Sequence, residues 1–319
     1  MNRIRIGTRK SKLALAQTQL ILDEILRYHP HVKVEVVKIT TSGDKILDSP
    51  LSKVGGKGLF VKEIEEALLR REIDLAIHSM KDLPHQLPDG LSLVAFPKRE
   101  DPRDALVGKM AWDIQKLPKG SKVGTSSLRR ALQLMRLRPD LHIVPLRGNV
   151  DTRLRKLDSE GLSAIILAMA GTKRLGIHIP NLVPIPFELM IPAIGQGALA
   201  LEAREDNEGI KDMLRPLNHK ETEIAITTER AFLKAMGGGC QVPVGGICQL
   251  WENAIHFKAV LMDDGDKRAF FAEIRGSIGD EKAIGERAAE EILSKGGDQV
   301  IKRLLGGTVG GDIWQKMSP

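Results

Sequence analysis

KVGTSSLRRALQLMRLRPDLHIVPLRGNVDTRLRKLDSEGLSAIIL, residues 122–167, decides the fold. Its short apolar runs Lys122–Gly124, His142–Pro145 and Ser163–Leu167 alternate with two helical patterns, Ser127–Leu137 and Val150–Leu157. Strand, helix, strand, helix, strand is the signature of α/β layers around a largely parallel sheet. The same alternation opens the chain. Ile4–Gly7 reads as a strand, and Ser11 as the cap of a helix with Leu13, Ala16 and Leu20 on its apolar face. Val32–Ile39 is β-branched and strand-like. Phe60, Ile64, Ala67 and Leu68 mark a helix running into the strand Ile73–Ile77.

Two segments read as crossings between domains. Pro97–Arg103 (PKREDPR) is charged and proline-bearing, and Pro184–Pro192 holds three prolines before the strand-like Ala198–Ala203. The last third changes character. Glu221–Met236 is helical, strand-like stretches follow near 241–250, 254–262 and 268–276, and a helix at 281–294 closes the pattern. Consecutive strands of this kind pair antiparallel in an α+β unit. The expected division is residues 1–98 with 197–216, residues 99–196, and residues 217–319.

Composition narrows the function. In 319 residues, 48 Lys+Arg against 41 Asp+Glu leave a net charge of +7 and a pI near 9.3. That surplus favours an anionic partner. Only 3% of residues are aromatic, which argues against a single-strand nucleic-acid binder built on stacking platforms. The two cysteines, Cys240 and Cys248, make no disulfide framework. No CxxC, HExxH or Cys/His cluster signals a metal. The longest apolar run, Ala164–Ala170, is too short to span a bilayer. The basic N-terminus leads into no secretory apolar stretch, so a cytoplasmic protein is expected.

Three strand-to-helix junctions combine hydroxyls with basic groups: Gly7–Ser11, Gly124–Arg130 and Arg147–Arg153. Helix N-termini attract anions, and guanidinium forks bind carboxylate or phosphate in pairs. One such junction is accounted for by ordinary capping. Three in one α/β pattern, at the strand ends where ligands bind, point to one polyanionic ligand. His78–Pro84 (HSMKDLP) follows the strand Ile73–Ile77 and reads as a loop at that strand's end. Asp82 there is either part of a surface turn or a carboxylate that stabilises a developing cation. Gly237–Pro243 (GGGCQVP) either exposes Cys240 as an attachment site or buries it in a turn. Cys248 lies in a strand pattern and reads as structural. Ser42–Phe60 is long, aperiodic and rich in glycine and lysine, the composition of a lid. It contains no phosphate-binding loop, because no Ser or Thr follows Lys57.

Taken together these stretches resemble the porphobilinogen deaminase (hydroxymethylbilane synthase) family. The shared stretches are Ile6–Arg9 with Ser11, Gly43-Asp44 with Gly58–Phe60, His78–Asp82, Gly124–Arg130, Arg147–Val150 with Arg153, Gly195–Ala198, and Glu229-Arg230 with Gly238–Pro243. The resemblance implies two domains like type II periplasmic binding proteins and a small α+β third domain. It implies a dipyrromethane cofactor joined by thioether to Cys240, on which four porphobilinogens condense head to tail with loss of ammonia. Each pyrrole bears an acetate and a propionate, which accounts for the cations. By the same resemblance Asp82 is catalytic. Lys81, Ser79, Thr125, Ser127, Arg129, Arg130 and Arg147 would bind the cofactor. Arg9, Ser11, Arg147, Arg153, Arg174 and Gln196 would bind substrate. Lys53, Lys57 and Phe60 would form a lid. No metal, nucleotide, nucleic acid or membrane is implied, and a monomer is expected. Lys10 and Lys12 depart from the family pattern and add charge near the site. The competing reading is a non-catalytic anion-binding protein of the bilobal periplasmic type.

Overall fold

The computed structural model describes residues 3–45, 58–237 and 242–305. Ten strands build two sheets: β1 (Arg3–Arg9), β2 (Lys33–Ile39), β3 (Leu75–Ser79), β4 (Leu91–Ala95), β5 (Asp104–Gly108), β6 (Lys122–Gly124), β7 (His142–Val144), β8 (Ala164–Ala168), β9 (Leu182–Pro184) and β10 (Leu199–Arg204). The first sheet has the order β2-β1-β3-β10-β4 and the second β7-β6-β8-β5-β9. In the first, β1 is parallel to β2 and β3, while β10 is antiparallel to β3 and β4. The second repeats this plan, with β6 parallel to β7 and β8, and β5 antiparallel to β8 and β9. Each sheet therefore has four strands in one direction and one reversed.

The reversed strands are those that follow the two crossings, and the geometry explains why. β4 ends at the carboxyl edge of the first sheet. A short crossing enters the second sheet at its own carboxyl edge, so β5 must run against its neighbours. The return from β9 to β10 obeys the same constraint. The carboxyl edges of the two sheets thus face each other across the crossings, and ligands of open α/β sheets bind outside such edges. The α/β class with mainly co-directional strands is as the sequence indicates. β4, β5 and β9 were not legible in it.

The crossings pack closely. Gly197 has φ +89°, and a Cβ there would lie 2.3 Å from the Glu100 carbonyl oxygen. Gly197→Ala is expected to destabilise the protein by about 2 kcal/mol or more, since it combines left-handed backbone with a backbone clash. Chemical denaturation would measure it.

One face was misread. In the helix Lys12–Tyr28 the buried residues are Gln17, Thr18, Ile21 and Ile25, and Leu20 is 46% exposed. The inward stripe begins with two polar residues that find partners. Gln17 donates to Ser79 Oγ at 3.0 Å, and Thr18 Oγ1 donates to the Ala14 carbonyl at 2.9 Å. An apolar-only pattern passes over such residues.

The third unit is an antiparallel meander of β11 (Val244–Trp251), β12 (Ala254–Met262) and β13 (Ala269–Ser277). The helices Lys220–Ala235 and Glu281–Ile292 cover one face, and Phe232, Phe257, Ile284 and Ile292 share the core between them. Cys248 is buried on β11, where burial and the nearby Glu229 carboxylate push its thiol up to about 12. Such a thiol is inert. Among the described residues no helix is long and apolar enough to cross a membrane.

Candidate active site

The site grows from the carboxyl edges. β3 ends at Ser79 and turns directly into the 3-10 helix Met80–Asp82. His78 therefore belongs to the strand and not to a loop, and it is 5% exposed. The Met80 amide donates to the Ala198 carbonyl at 3.1 Å, which fastens this turn to the return crossing. Lys81 and Asp82 stand on the turn, half-buried.

Gln196 joins the turn to the second sheet. Lys81 Nζ reaches Gln196 Oε1 at 3.5 Å. Gln196 Nε2 donates to the Pro102 carbonyl at 2.8 Å and to Asp104 Oδ1 at 2.9 Å. Asp104, the first residue of β5, is fully buried. Arg130 donates to its Oδ1 from Nη2 at 2.6 Å and from Nε at 3.0 Å, and Arg129 Nη1 lies 2.9 Å from its Oδ2. Arg129 Nη1 also donates to the Ile191 carbonyl, and Arg130 Nη1 to that of Ile166. One buried carboxylate thus serves two buried guanidiniums.

The helix starts converge around this pair. Ser127 Oγ accepts from the Arg130 amide and caps the helix Leu128–Leu137. Thr125, 1% exposed, accepts from the Ser127 amide at 3.2 Å. Asn149 caps the helix Val150–Ser159 through the Thr152 amide at 2.9 Å. Ser11 caps the helix Lys12–Tyr28, and Lys12 Nζ reaches Asp151 at 2.7 Å, so the first and third junctions meet. Lys12 is the residue that bridges them.

Electrostatics confirms the convergence. Burial lowers the Lys81 ammonium to about 8; Asp82 opposes this most, Arg130 and Arg129 add to it, and Asp104 also opposes it. Asp104 overcomes its own burial because Arg129 and Arg130 hold it well below the usual carboxylate range. Arg153 donates to the Gly148 carbonyl at 2.8 Å. Burial lowers it to about 10, and the charged groups acting on it, Arg130 and Arg147, are both cations. Burial likewise lowers Arg147. Arg174 donates to the Gly197 carbonyl at 2.6 Å and is lowered to about 10 by burial, with Glu100 opposing. These three guanidiniums are half-buried, and burial is the main cause of each shift.

Two expected residues are engaged elsewhere. Arg9 pairs with Asp44, Nε to Oδ1 at 3.2 Å, and its guanidinium lies 4.3 Å from the centre of the Phe60 ring. Ser79 is held by Gln17. Lys53, Lys57 and Cys240 lie outside the described residues. Among the described residues no group of three or more His, Cys, Asp and Glu could hold a metal ion.

The sequence reading passed over Asp104 and the pair behind Gln196. Arg99 donates to both oxygens of buried Glu229, at 2.6 and 3.2 Å, and from Nε to the Gln196 carbonyl at 2.9 Å. Glu229 also accepts from the Gly195 and Cys248 amides at 2.7 and 3.0 Å. The signal for Asp104 was a lone acid opening the apolar run Ala105-Leu106-Val107, which places a charge at the end of a buried strand.

Comparison with known proteins decides the family. Residues 4–212 match the family model "Porphobilinogen deaminase, dipyromethane cofactor binding domain", and residues 223–294 match "Porphobilinogen deaminase, C-terminal domain". This chain is a porphobilinogen deaminase family member. A porphobilinogen deaminase of Listeria monocytogenes is 47% identical over 306 residues, covering 95% of this chain and 98% of the relative. One from Geobacter sulfurreducens is 47% identical over 301 residues, covering 94% of each. Among solved structures, the methionine-binding protein MetQ is similar at TM-score 0.41 and 18% identity, covering 67% of this chain and 89% of that one. The family's cofactor-binding region contains the turn with Asp82, the linking residue Gln196 and the whole arginine cluster. Its C-terminal region spans Cys240.

Proposed function

We propose that the chain condenses four porphobilinogen molecules into linear hydroxymethylbilane, releasing ammonia at each step, on a covalently bound dipyrromethane primer. Family membership supports this transferase of tetrapyrrole biosynthesis over a non-catalytic anion-binding protein. The observation that carries the site assignment is the meeting of buried Arg129 and Arg130, held by Asp104, with the Lys81–Asp82 turn through Gln196. The primer's acetates and propionates are the anions such a cationic cluster would bind. The residues present therefore fit the cofactor.

Dipyrromethane, when bound, supplies the pyrrole carbon at which the chain lengthens. We assign its carboxylates to Lys81, Ser79, Thr125, Ser127, Arg129, Arg130 and Arg147, and its anchor to Cys240. Arg9, Ser11, Arg147, Arg153, Arg174 and Gln196 are assigned to the incoming substrate, with Arg9 exchanging Asp44 for a substrate carboxylate. Loss of ammonia leaves the porphobilinogen ring electron-poor. Asp82 faces that charge with a carboxylate and accepts the pyrrole N–H, while Lys81 beside it binds the ring's acid substituents. Behind the site Glu229 ties the two crossings together, accepting from Arg99 and from the Gly195 amide.

We divide the chain into domain 1 (residues 1–98 and 197–216), domain 2 (residues 99–196) and domain 3 (residues 217–319), in keeping with its three sheets. We place the enzyme in the cytoplasm as a monomer with a small-molecule substrate. A polycarboxylate ligand accounts for the basic surplus without nucleic acid.

The deciding measurement is the intact mass of the purified protein beside Cys240→Ser. The expected result is an excess equal to two linked pyrrole units in the parent and none in the variant. A parent that stays unmodified after incubation with porphobilinogen would overturn the anchor.

A further inference from the structure

The other face of the first sheet buries a second group of titratable side chains, which the reaction as described leaves unused. In the pairing of β10 with β3, Ala200 opposes His78 and Glu202 opposes Ala76. His78 and Glu202 therefore stand diagonally on one face. His78 Nε2 is 2.9 Å from Glu202 Oε2, with the side chains 3% and 0% exposed. The distance suits an ion pair, but the approach is off the line of a hydrogen bond, and neither Glu202 oxygen has an aligned donor among the described residues. Glu65, on the covering helix Lys62–Leu69, is also buried, and its Oε1 has no aligned donor there.

Other charges on this face are engaged. Arg204 Nη1 donates to the Leu68 and Ile73 carbonyls, at the far end of the covering helix. Beyond it Arg5 is paired with Asp74. Arg230, from the helix Lys220–Ala235, feels the Glu202 charge but donates to the Pro84 and His85 carbonyls, each at 3.0 Å, and touches Met80 Sδ. Glu65 thus adds a second buried carboxyl, from the covering helix, to the face that holds the His78–Glu202 pair.

We propose that His78, Glu202 and Glu65 form a proton-holding cluster that positions the Lys81–Asp82 turn for catalysis. The connection is short. His78 is followed directly by Ser79 and the turn Met80–Asp82. Glu202 lies on the strand that begins directly after Gln196-Gly197-Ala198. The pair fastens together the strand that leads into the turn and the strand that follows Gln196. Arg230 grips the turn and the residues after it from the helix Lys220–Ala235. With Glu65 protonated, the cluster holds one anion against one imidazole. Burial, and then the Glu202 charge, raise the Glu65 carboxyl to about 7, with His78 opposing. Its ionisation sets a second buried anion against Glu202, competes for the imidazole and loosens the support of the turn.

The proposal uses the deaminase reading for its assay. Its primary test is Glu65→Gln, isosteric and free of the second charge, assayed as holoenzyme across pH 6–9. The alkaline fall in kcat should move upward by on the order of one pH unit, with KM within about two-fold. His78→Gln should lower kcat on the order of ten-fold with little change in KM, and His78→Gln/Glu202→Gln should recover part of that loss. A Glu65→Gln profile superimposable on the parent's would overturn the proposal, as would His78→Gln losing only thermal stability. Should the parent consume no porphobilinogen, the function reading fails instead. Thermal melts without substrate then decide the cluster. The Tm advantage of Glu65→Gln should grow from pH 5 to pH 8, because a raised carboxyl stabilises the fold at low pH and loses that contribution as pH rises through about 7. A constant difference would refute the proton linkage.

Discussion

Asp82→Asn is expected to lower turnover by about two to three orders of magnitude, the range found when one preorganised electrostatic partner is removed from a reacting centre. The substitution keeps the shape of the side chain and takes its charge. The turn that bears it is set by main-chain bonds, Met80 N to the Ala198 carbonyl and Leu83 N to the Met80 carbonyl, and these do not involve the carboxylate. The fold, the Tm and the mass excess from the primer should therefore match the parent. The carboxylate matters in two ways. It opposes the lowering of the Lys81 ammonium by burial, more than any other group does. It is also the group we assign to the ring carbon that loses ammonia. Asp82→Asn should thus lower kcat far more than it raises KM, because the developing cation exists only along the reaction path. Steady-state porphobilinogen consumption, run beside intact mass, checks this. Turnover within about three-fold of the parent would remove Asp82 from its assigned role.

The repeating strand–helix pattern was legible because it is local. Strand β6 and its capped helix occupy neighbouring residues, and the cap Ser127 announces itself beside the apolar run it precedes. The same holds for Ser11. What stayed hidden depends on distance along the chain. Arg130 and Asp104 are 26 residues apart, Gln196 and Asp104 are 92 apart, and Arg99 and Glu229 are 130 apart. The stretch PKREDPR reads as a charged crossing between domains, and nothing in it shows that Arg99 is bound bidentately to a buried carboxylate. Strand direction was hidden for a related reason. Nothing in Ala105-Leu106-Val107 tells whether the strand runs with or against its neighbours; only the route of the crossing does. The apolar face of the first helix was misassigned because Gln17 and Thr18 turn inward, and what they bond to lies partly on β3. Of the candidate site, the cations were readable by type and position. The acid that holds two of them was not.

That acid gives the second large effect. Asp104→Asn is expected to cost about 3–5 kcal/mol of stability, the range for breaking a buried ion pair from one side. The amide is nearly the same size, so no cavity opens. It replaces an acceptor-only group with one that presents two N–H donors to guanidinium donors. Arg129 and Arg130 are then two buried cations with no carboxylate between them, and Gln196 Nε2 loses a charged acceptor. Chemical denaturation of parent and variant at neutral pH measures the difference. Its pH dependence follows from sign. The two arginines hold the Asp104 carboxyl below its ordinary range. Its contribution is therefore complete above the unfolded value of about 4 and is lost as pH falls toward the folded value. The gap between parent and variant should be widest near neutral pH and narrow below about pH 4. Function should fall with stability, since the same two guanidiniums are assigned to the primer. The two losses are separable, because primer carboxylates bring back negative charge that the variant lacks. The variant should therefore gain more stability from bound primer than the parent does, comparing each with its own Cys240→Ser form. Equal gains would mean that Arg129 and Arg130 hold Asp104 alone and do not reach the primer.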